Sequence, residues 1–279
     1  MHDMFYFTDI HGDYNLFKAI ITWCKKQDNE CTIIFGGDAC DRGEKGYVIM
    51  QELLNDSHII YLKGNHEDLF VSAAKSILKY NFHSTNYNDI YDFLRQLIFS
   101  NEKVRLSSYN GGISTLIDWM TDNQNLDIIE SLDNLPITFS YGKYDFCHAG
   151  GNIDSFIRVW DSEYKNEASN EQDVSNLLWD RAAFLSGWIT DRICIHGHTP
   201  ILNLPKVVFN GEKGDKNYPH KLYGVSQRYS GYRIDMDCGT PYENKCFVLN
   251  VNTQKVYEFL YNKNKTAVKI ANRVIDLNN

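Results

Sequence analysis

Gly36-Gly37-Asp38-Ala39-Cys40-Asp41-Arg42-Gly43 is the stretch that decides how this chain is read. It follows the short apolar run Cys31 to Phe35, which has the character of a strand buried on both faces in a parallel sheet. Two glycines at the strand end let the backbone turn where a side chain would obstruct a ligand. Asp38, Asp41 and Arg42 then bring two carboxylates and a guanidinium together, and Gly43 closes the turn. Open α/β sheets build their sites in this way, at the carboxyl ends of strands. The plain alternative is a polar turn with a surface ion pair, and the flanking sequence argues against it.

On the N-terminal side, Met4 to Thr8 is another strand without polar alternation, running into Asp9-Ile10-His11-Gly12. A carboxylate and an imidazole two residues apart can point the same way from a pleat. Gly12 and Asp13 open a helix whose Leu16, Phe17, Ile20, Ile21 and Cys24 share one face. On the C-terminal side, Tyr47 to Leu54 has a helical pattern. The strand His58 to Leu62 follows and ends in Lys63-Gly64-Asn65-His66-Glu67. Three strand-then-helix units, each with a polar cluster after its strand, predict a parallel sheet with one site along its edge.

From Asp68 to Leu135 the pattern is helical, broken at Asn110-Gly111-Gly112 and stopped before Pro136. This predicts a helical cap inserted beside the sheet. Ile137 to Tyr141 and Tyr144 to His148 form a predicted hairpin across Gly142-Lys143, and its second strand ends in His148-Ala149-Gly150-Gly151. Residues Asn152 to Val174 are polar and acidic and are expected to be a mobile loop. A short helix then carries Leu177 to Arg181. Arg192 to Ile195 is a further strand, ending in His196-Gly197-His198-Thr199-Pro200. Lys213 to Gly231 is expected to be an exposed loop, and short strands near Ile234, Phe247 to Val251 and Val256 to Phe259 close the chain. Without repeats or a clear linker, residues 1–279 are expected to form one domain.

Composition limits the function classes. Of the 279 residues 43% are hydrophobic and 23% charged, ordinary for a globular protein. A formal net charge of -8 argues against a nucleic-acid-binding surface, which needs a basic stripe. No apolar run is long enough for a membrane span, and no signal-peptide pattern opens the chain. Seven cysteines without a Cys-x-x-Cys pair read as reduced thiols, so a cytoplasmic location is expected.

Five strand ends now carry potential metal ligands: Asp9 and His11, Asp38, Asn65, His148, and His198. His2, His58, His83 and His220 lie outside such clusters and read as ordinary surface or core histidines. Mixed carboxylate, imidazole and amide donors suit manganese, iron or zinc. Cys40, Cys147 and Cys194 lie nearby but read as small apolar fillers.

The ordered motifs Asp9-x-His11-Gly12, Gly37-Asp38-x-x-Asp41-Arg42-Gly43, Gly64-Asn65-His66-Glu67, His148-Ala149-Gly150 and Gly197-His198 resemble those of the phosphoprotein phosphatase family, a branch of the calcineurin-like metallophosphoesterases. Leu178 to Arg181 and Gly197 to Pro200 resemble the compact bacterial and phage-type members. The resemblance implies an α/β (α+β) fold, a β-sandwich flanked by helices in four αββα layers, with the helical cap inserted at about 68–135. It also implies two divalent metal ions, most readily manganese with iron or zinc as options. Asp9, His11 and Asp38 would bind the first ion, and Asp38, Asn65, His148 and His198 the second. The implied reaction is in-line attack of metal-bridging hydroxide on phosphorus, without a phosphoenzyme. Arg42 and Arg181 would fork onto the phosphate oxygens, with Asn65 and Lys63 as further substrate contacts. His66 would protonate the leaving alkoxide, held by Asp41.

The implied substrates are phosphoserine and phosphothreonine proteins, extending to phosphotyrosine or a small phosphomonoester, with no membrane partner. Two departures stand out. Thr8 replaces the usual glycine, which is expected to matter little. Lys63 stands where arginine is common, so its phosphate contact would be monodentate. His196 reads as a filler of its strand end, while Asp237 suits either a turn or the support of a ligand histidine. The alternative enzyme is a dinucleoside tetraphosphate hydrolase, a class that tends to lack the second aspartate, here Asp41. A non-catalytic scaffold would lack ligands, and none is missing.

Overall fold

The computed structural model describes residues 2–165, 170–181, 192–201, 220–223, 232–262 and 267–276. The chain first lays down β1 (Met4–Phe7), α1 (Tyr14–Gln27), β2 (Thr32–Phe35), α2 (Gly46–Asn55) and β3 (Ile59–Tyr61). A helical stretch follows: α3 (Asn65–Ile77), α4 (Tyr87–Ser100), α5 (Glu102–Tyr109), α6 (Ile113–Thr121) and α7 (Leu126–Asp133). Then come β4 (Thr138–Tyr141), β5 (Tyr144–Cys147), α8 (Ile153–Lys165), α9 (Glu171–Trp179), β6 (Ile193–His196), β7 (His220–Tyr223) and β8 (Tyr232–Asp235). The last elements are α10 (Thr240–Glu243), β9 (Lys245–Asn250), β10 (Lys255–Tyr261) and β11 (Val268–Asp276).

Two sheets result. The first has the order β11-β10-β9-β1-β2-β3, the second β4-β5-β6-β8-β7. β1, β2 and β3 are parallel, with Tyr6 opposite Ile34 and Phe35 opposite Tyr61. In the second sheet β5, β6 and β8 are parallel, and β4 and β7 pair antiparallel at the edges. The lack of alternation in β1 now has its cause. Phe5 and Phe7 face the helices, while Met4 and Tyr6 face the second sheet, so both sides are apolar. Each such fully buried side chain contributes about 1.5–3 kcal/mol.

Between the sheets lie Tyr6, Ile34, Leu62, Phe146, Ile195, Ile234, Phe247 and Leu249. The outer face of the first sheet packs on α1, α2 and the helical stretch through Phe17, Met50, Phe70, Leu94 and Trp119. The outer face of the second packs Cys147 and Cys194 against Phe156, Val159, Leu177 and Leu178 of α8 and α9. This is the four-layer αββα sandwich. The helical stretch begins at Asn65 and continues the outer layer, sharing one core with α1 and α2. Its segments are set by asparagine caps: Asn86, Asn101 and Asn125 each accept N–H groups from the first turn of α4, α5 and α7.

Three expectations change. Residues 152–174, expected to be a mobile loop, are mostly helix. Phe156, Val159 and Trp160 give α8 an apolar face that its charges disguise in the sequence. The 213–231 loop falls largely outside the described residues, but β7 lies within it. The strand β11 adds an edge to the first sheet that the sequence pattern does not announce. Among the described residues, no helix is long and apolar enough to cross a membrane.

Candidate active site

The polar clusters that follow β1, β2, β3, β5 and β6 converge on one place. Asp9, His11, Asp38, Asp41, Arg42 and His198 all adopt positive φ, between 45° and 72°. Such backbone costs of order 1–3 kcal/mol per residue and persists only where the surroundings fix it. Here the loops are zipped together. Asp9, His11 and Gly12 donate their N–H groups to the carbonyls of Gly37, Asp38 and Ala39 at 3.0, 3.0 and 2.8 Å. Gly37, at φ 95°, lies so close to the next loop that a Cβ would meet Gly64 N and Cα at 2.6 Å. No other residue fits there.

Glu67, whose role the sequence did not disclose, is the hub of these loops. It is fully buried, and its Oε2 accepts the N–H groups of Asp38 and Gly64, both at 2.8 Å. Its Oε1 accepts Ala39 N–H at 2.7 Å and the Tyr61 hydroxyl at 2.8 Å. Its signal was local: a glutamate at the third position of a helix can reach back to the cap.

The six candidate ligands come together. Asp38 Oδ1 lies 3.2 Å from His148 Nε2, and its Oδ2 lies 3.5 Å from His11 Nε2, so one carboxylate faces two donor groups. Asn65 Oδ1 lies 2.9 Å from His148 Nε2 and 2.8 Å from His198 Nδ1. Asp9 Oδ1 is 4.0 Å from His11 Nε2, and its Oδ2 accepts from Thr8 Oγ1 at 2.7 Å and His198 N at 3.1 Å. Thr8, standing where glycine is usual, thus lies in hydrogen-bond contact with a candidate ligand carboxylate. His11 and His148 each turn Nδ1 to a carbonyl, of Cys40 at 3.0 Å and Gly36 at 2.8 Å, which directs Nε2 inward.

These donors fit divalent ions. Donor atoms of Asp38, His148 and His198 all lie within 4.8 Å of one another, as do those of His11, Asp38 and His66. Burial opposes charge on His148, yet Asp38 and Asp9 overcome it and carry the imidazole up to about 10. The pocket thus draws positive charge toward its carboxylates, which a bound cation would satisfy. Burial pushes the Cys40 thiol well up, and Cys40 belongs to neither of these donor groups.

His66 is near enough to count as a donor, but its nitrogens are committed elsewhere. Nδ1 meets Asp41 Oδ2 at 2.7 Å, and Arg42 donates to Nε2 at 2.9 Å. The same guanidinium donates to His11 Nε2 at 2.8 Å. Burial weighs against a charged His66, but Asp38 and the hydrogen bond to Asp41 raise its proton affinity above the ordinary value. Arg181, just past the end of α9, borders the site, donating to His198 O at 3.1 Å and Thr199 Oγ1 at 3.2 Å. Beside His11 and Arg42 opens a cleft of about 470 Å³, bordered by Tyr14, Lys45 and Tyr261.

Lys63 does not join this group. It is buried, and its ammonium donates to the Asp133 carbonyl at 2.6 Å. Being next to the motif placed it at the strand end but did not fix where its side chain points, which is toward the end of α7. His196 is buried at its strand end with Nδ1 3.2 Å from Gly197 O. Burial and Arg233 hold its pKa at about 3, so it is neutral. Asp237 takes the turn role, accepting Gly239 N–H at 2.8 Å.

The family model for calcineurin-like phosphoesterases matches residues 5–212. The chain belongs to this family. As a calcineurin-like phosphoesterase it has several solved structural likenesses, all at low identity. A protein described as a candidate diadenosine tetraphosphatase is 12% identical, with 92% of each chain covered and a TM-score of 0.52. The cold-active protein-tyrosine phosphatase of a psychrophilic Shewanella is 13% identical, covering 97% of this chain and 80% of that one, with a TM-score of 0.48. A protein serine/threonine phosphatase from Saccharomyces cerevisiae is 15% identical, covering 98% and 81%, with a TM-score of 0.44. At these identities the likeness concerns the fold of a phosphoesterase and not its substrate. Among curated proteins nothing matches the chain.

Proposed function

We propose that this phosphoesterase is a metal-dependent phosphomonoesterase that dephosphorylates phosphoserine and phosphothreonine in proteins. Phosphotyrosine is accessible to the same chemistry. The observation that carries this reading is the 2.7 Å contact of His66 Nδ1 with Asp41 Oδ2, beside two donor groups that share Asp38.

Asp9, His11 and Asp38 would hold one divalent ion, and Asp38, Asn65, His148 and His198 a second. Manganese suits these donors best, with iron or zinc compatible. Bound there, the ions would supply Lewis acidity toward a phosphoryl oxygen and lower the pKa of a water. Arg42 and Arg181 would grip the non-bridging oxygens in forked hydrogen bonds, Arg42 turning from the two imidazoles onto the phosphate. His66 would deliver the proton that the departing alkoxide needs, while Asp41 fixes its tautomer and orientation. A cytoplasmic setting accompanies this reading, since all seven cysteines are free and buried.

The second reading is hydrolysis of dinucleoside tetraphosphates on the same ligands. A nucleotide leaves as a phosphate anion and has little need of an added proton, whereas a serine alkoxide is a poor leaving group. A built imidazole–carboxylate pair therefore favours the monoester. The test is a panel on manganese-loaded protein, comparing phosphopeptides with nucleotides and dinucleoside polyphosphates. Phosphoserine or phosphothreonine peptides should have the higher kcat/KM. A large preference for dinucleoside tetraphosphate would transfer the chain to the second reading.

A further inference from the structure

Asp41 and Arg42 are consecutive non-glycine residues in left-handed backbone, with φ of 68° and 65°. What holds them there comes from far along the chain, at the start of α6. Arg42 N–H donates to the Gly111 carbonyl at 3.1 Å. Ser114 Oγ donates to the Gly43 carbonyl at 3.1 Å. Thr115 Oγ1 accepts Asp41 N–H at 3.2 Å and donates its own proton to Asp41 Oδ1 at 2.9 Å. The fit is close: Gly111 has φ 91°, and a Cβ there would meet Arg42 N at 2.9 Å.

One hydroxyl thus grips both the backbone and the side chain of Asp41. Thr115 is 1% exposed and Asp41 0%, so bulk water cannot replace the contact. With Oδ1 held by Thr115, the carboxylate plane is fixed and Oδ2 is aimed at His66 Nδ1. A buried hydroxyl that merely found a nearby acceptor would not need to engage both groups of the same residue.

We infer that Thr115 is a positioning residue for leaving-group protonation, acting on His66 through Asp41. It also joins the helical layer to the chemistry. The inference rests on the proposed role of His66. Thr115→Val keeps the shape and removes the hydroxyl, so Asp41 loses one anchor and the imidazole loses its fixed partner. General acid assistance is worth about 10²–10⁴-fold. Misorienting the acid without deleting it should cost part of this, about tenfold or more in kcat on a phosphoserine peptide.

The experiment compares kcat on that peptide with kcat on nitrophenyl phosphate, whose leaving group needs little protonation, at verified metal content. Thr115→Val should lose about tenfold or more on the peptide and about twofold or less on nitrophenyl phosphate. Thr115→Ser should restore both. Added to His66→Asn, Thr115→Val should cause little further loss. The downfield proton resonance of the His66–Asp41 hydrogen bond should shift or broaden in Thr115→Val and return in Thr115→Ser. Equal losses on both substrates, or an unchanged resonance with unchanged peptide turnover, overturn the inference. Should Thr115→Val fail to fold, Thr115→Cys, with a weaker donor of similar size, takes the same comparison, and the same pair of results supports or overturns the role. If His66→Asn itself shows no dependence on leaving group, the acid assignment fails; if His66→Asn does and Thr115→Val does not, only the role of Thr115 fails.

Discussion

The two sheets contribute to the site in different ways. Loops after β1, β2 and β3 supply Asp9, His11, Asp38, Asn65 and His66, tied to one another by backbone hydrogen bonds and by the four donors that converge on Glu67. The second sheet supplies His148 and His198, and the end of α9 beside it supplies Arg181. Its loops meet through Gly197 N–H on His148 O at 2.8 Å, and meet the first sheet through His198 N–H on Asp9 Oδ2 at 3.1 Å. The first side is therefore over-determined, which suits groups that must keep their geometry as charge develops. Among the described residues, the second side completes the donor set and is tied to the first through His148 Nδ1 on Gly36 O and the contacts of His148 and His198 with Asn65 Oδ1.

Removing the shared carboxylate should break both sides at once. Asp38→Asn is expected to lower activity on the order of 10³-fold, above the 10–100-fold typical of residues that only support a ligand. Elemental analysis should find both ions depleted. His198→Ala removes a donor from the second side only, and the variant should keep about one ion per chain. Equal metal loss in the two variants would contradict the shared role of Asp38.

Glu67→Gln tests the over-determination. The new amide places an N–H donor against groups that are themselves donors, and the fully buried site offers no water. We expect a loss of about 3 kcal/mol by denaturant unfolding. A change below about 0.5 kcal/mol would show that the first-sheet loops hold without it.

Much of this was legible because most of the candidate ligands lie within a few positions of a strand end. A strand end is a local feature, and Asp9, Asp38, Asn65, His148 and His198 could be placed without tertiary knowledge. Lys63 could not, since its direction is set by the Asp133 carbonyl, far along the chain. Thr115 carried no signal either, because it faces Asp41 only after the helical layer folds back. Residues 152–174 misled for another reason. Asp154, Arg158, Asp161, Glu163 and Lys165 crowd the segment, and these charges outweighed the apolar spacing of Phe156, Val159 and Trp160.

Smaller effects sharpen the contrast. Lys63→Met should cost about 1 kcal/mol of stability and leave KM for phosphopeptides unchanged. A rise in KM would restore Lys63 to the site. In the second-sheet layer, Asp173 of α9 takes a forked pair of bonds from Arg158 of α8 at 2.6 and 2.7 Å. Arg158 holds the Asp173 carboxyl below its ordinary value of 3.8. A carboxyl with a depressed folded value stabilises the protein above its unfolded value. That contribution is lost as pH falls through the folded one. The difference in Tm between wild type and Asp173→Asn should therefore be present at pH 7 and shrink only below about pH 4. A gap that widened on acidification would contradict the pairing.

The proposed chemistry depends most on His66 acting as the leaving-group acid. The direct measurement is kcat of His66→Asn on a phosphoserine peptide and on nitrophenyl phosphate, with bound metal counted in the same sample. We expect both ions to be retained, a loss of about 10²–10⁴-fold on the peptide, and a far smaller loss on nitrophenyl phosphate. Equal losses on the two substrates with metal intact would contradict it.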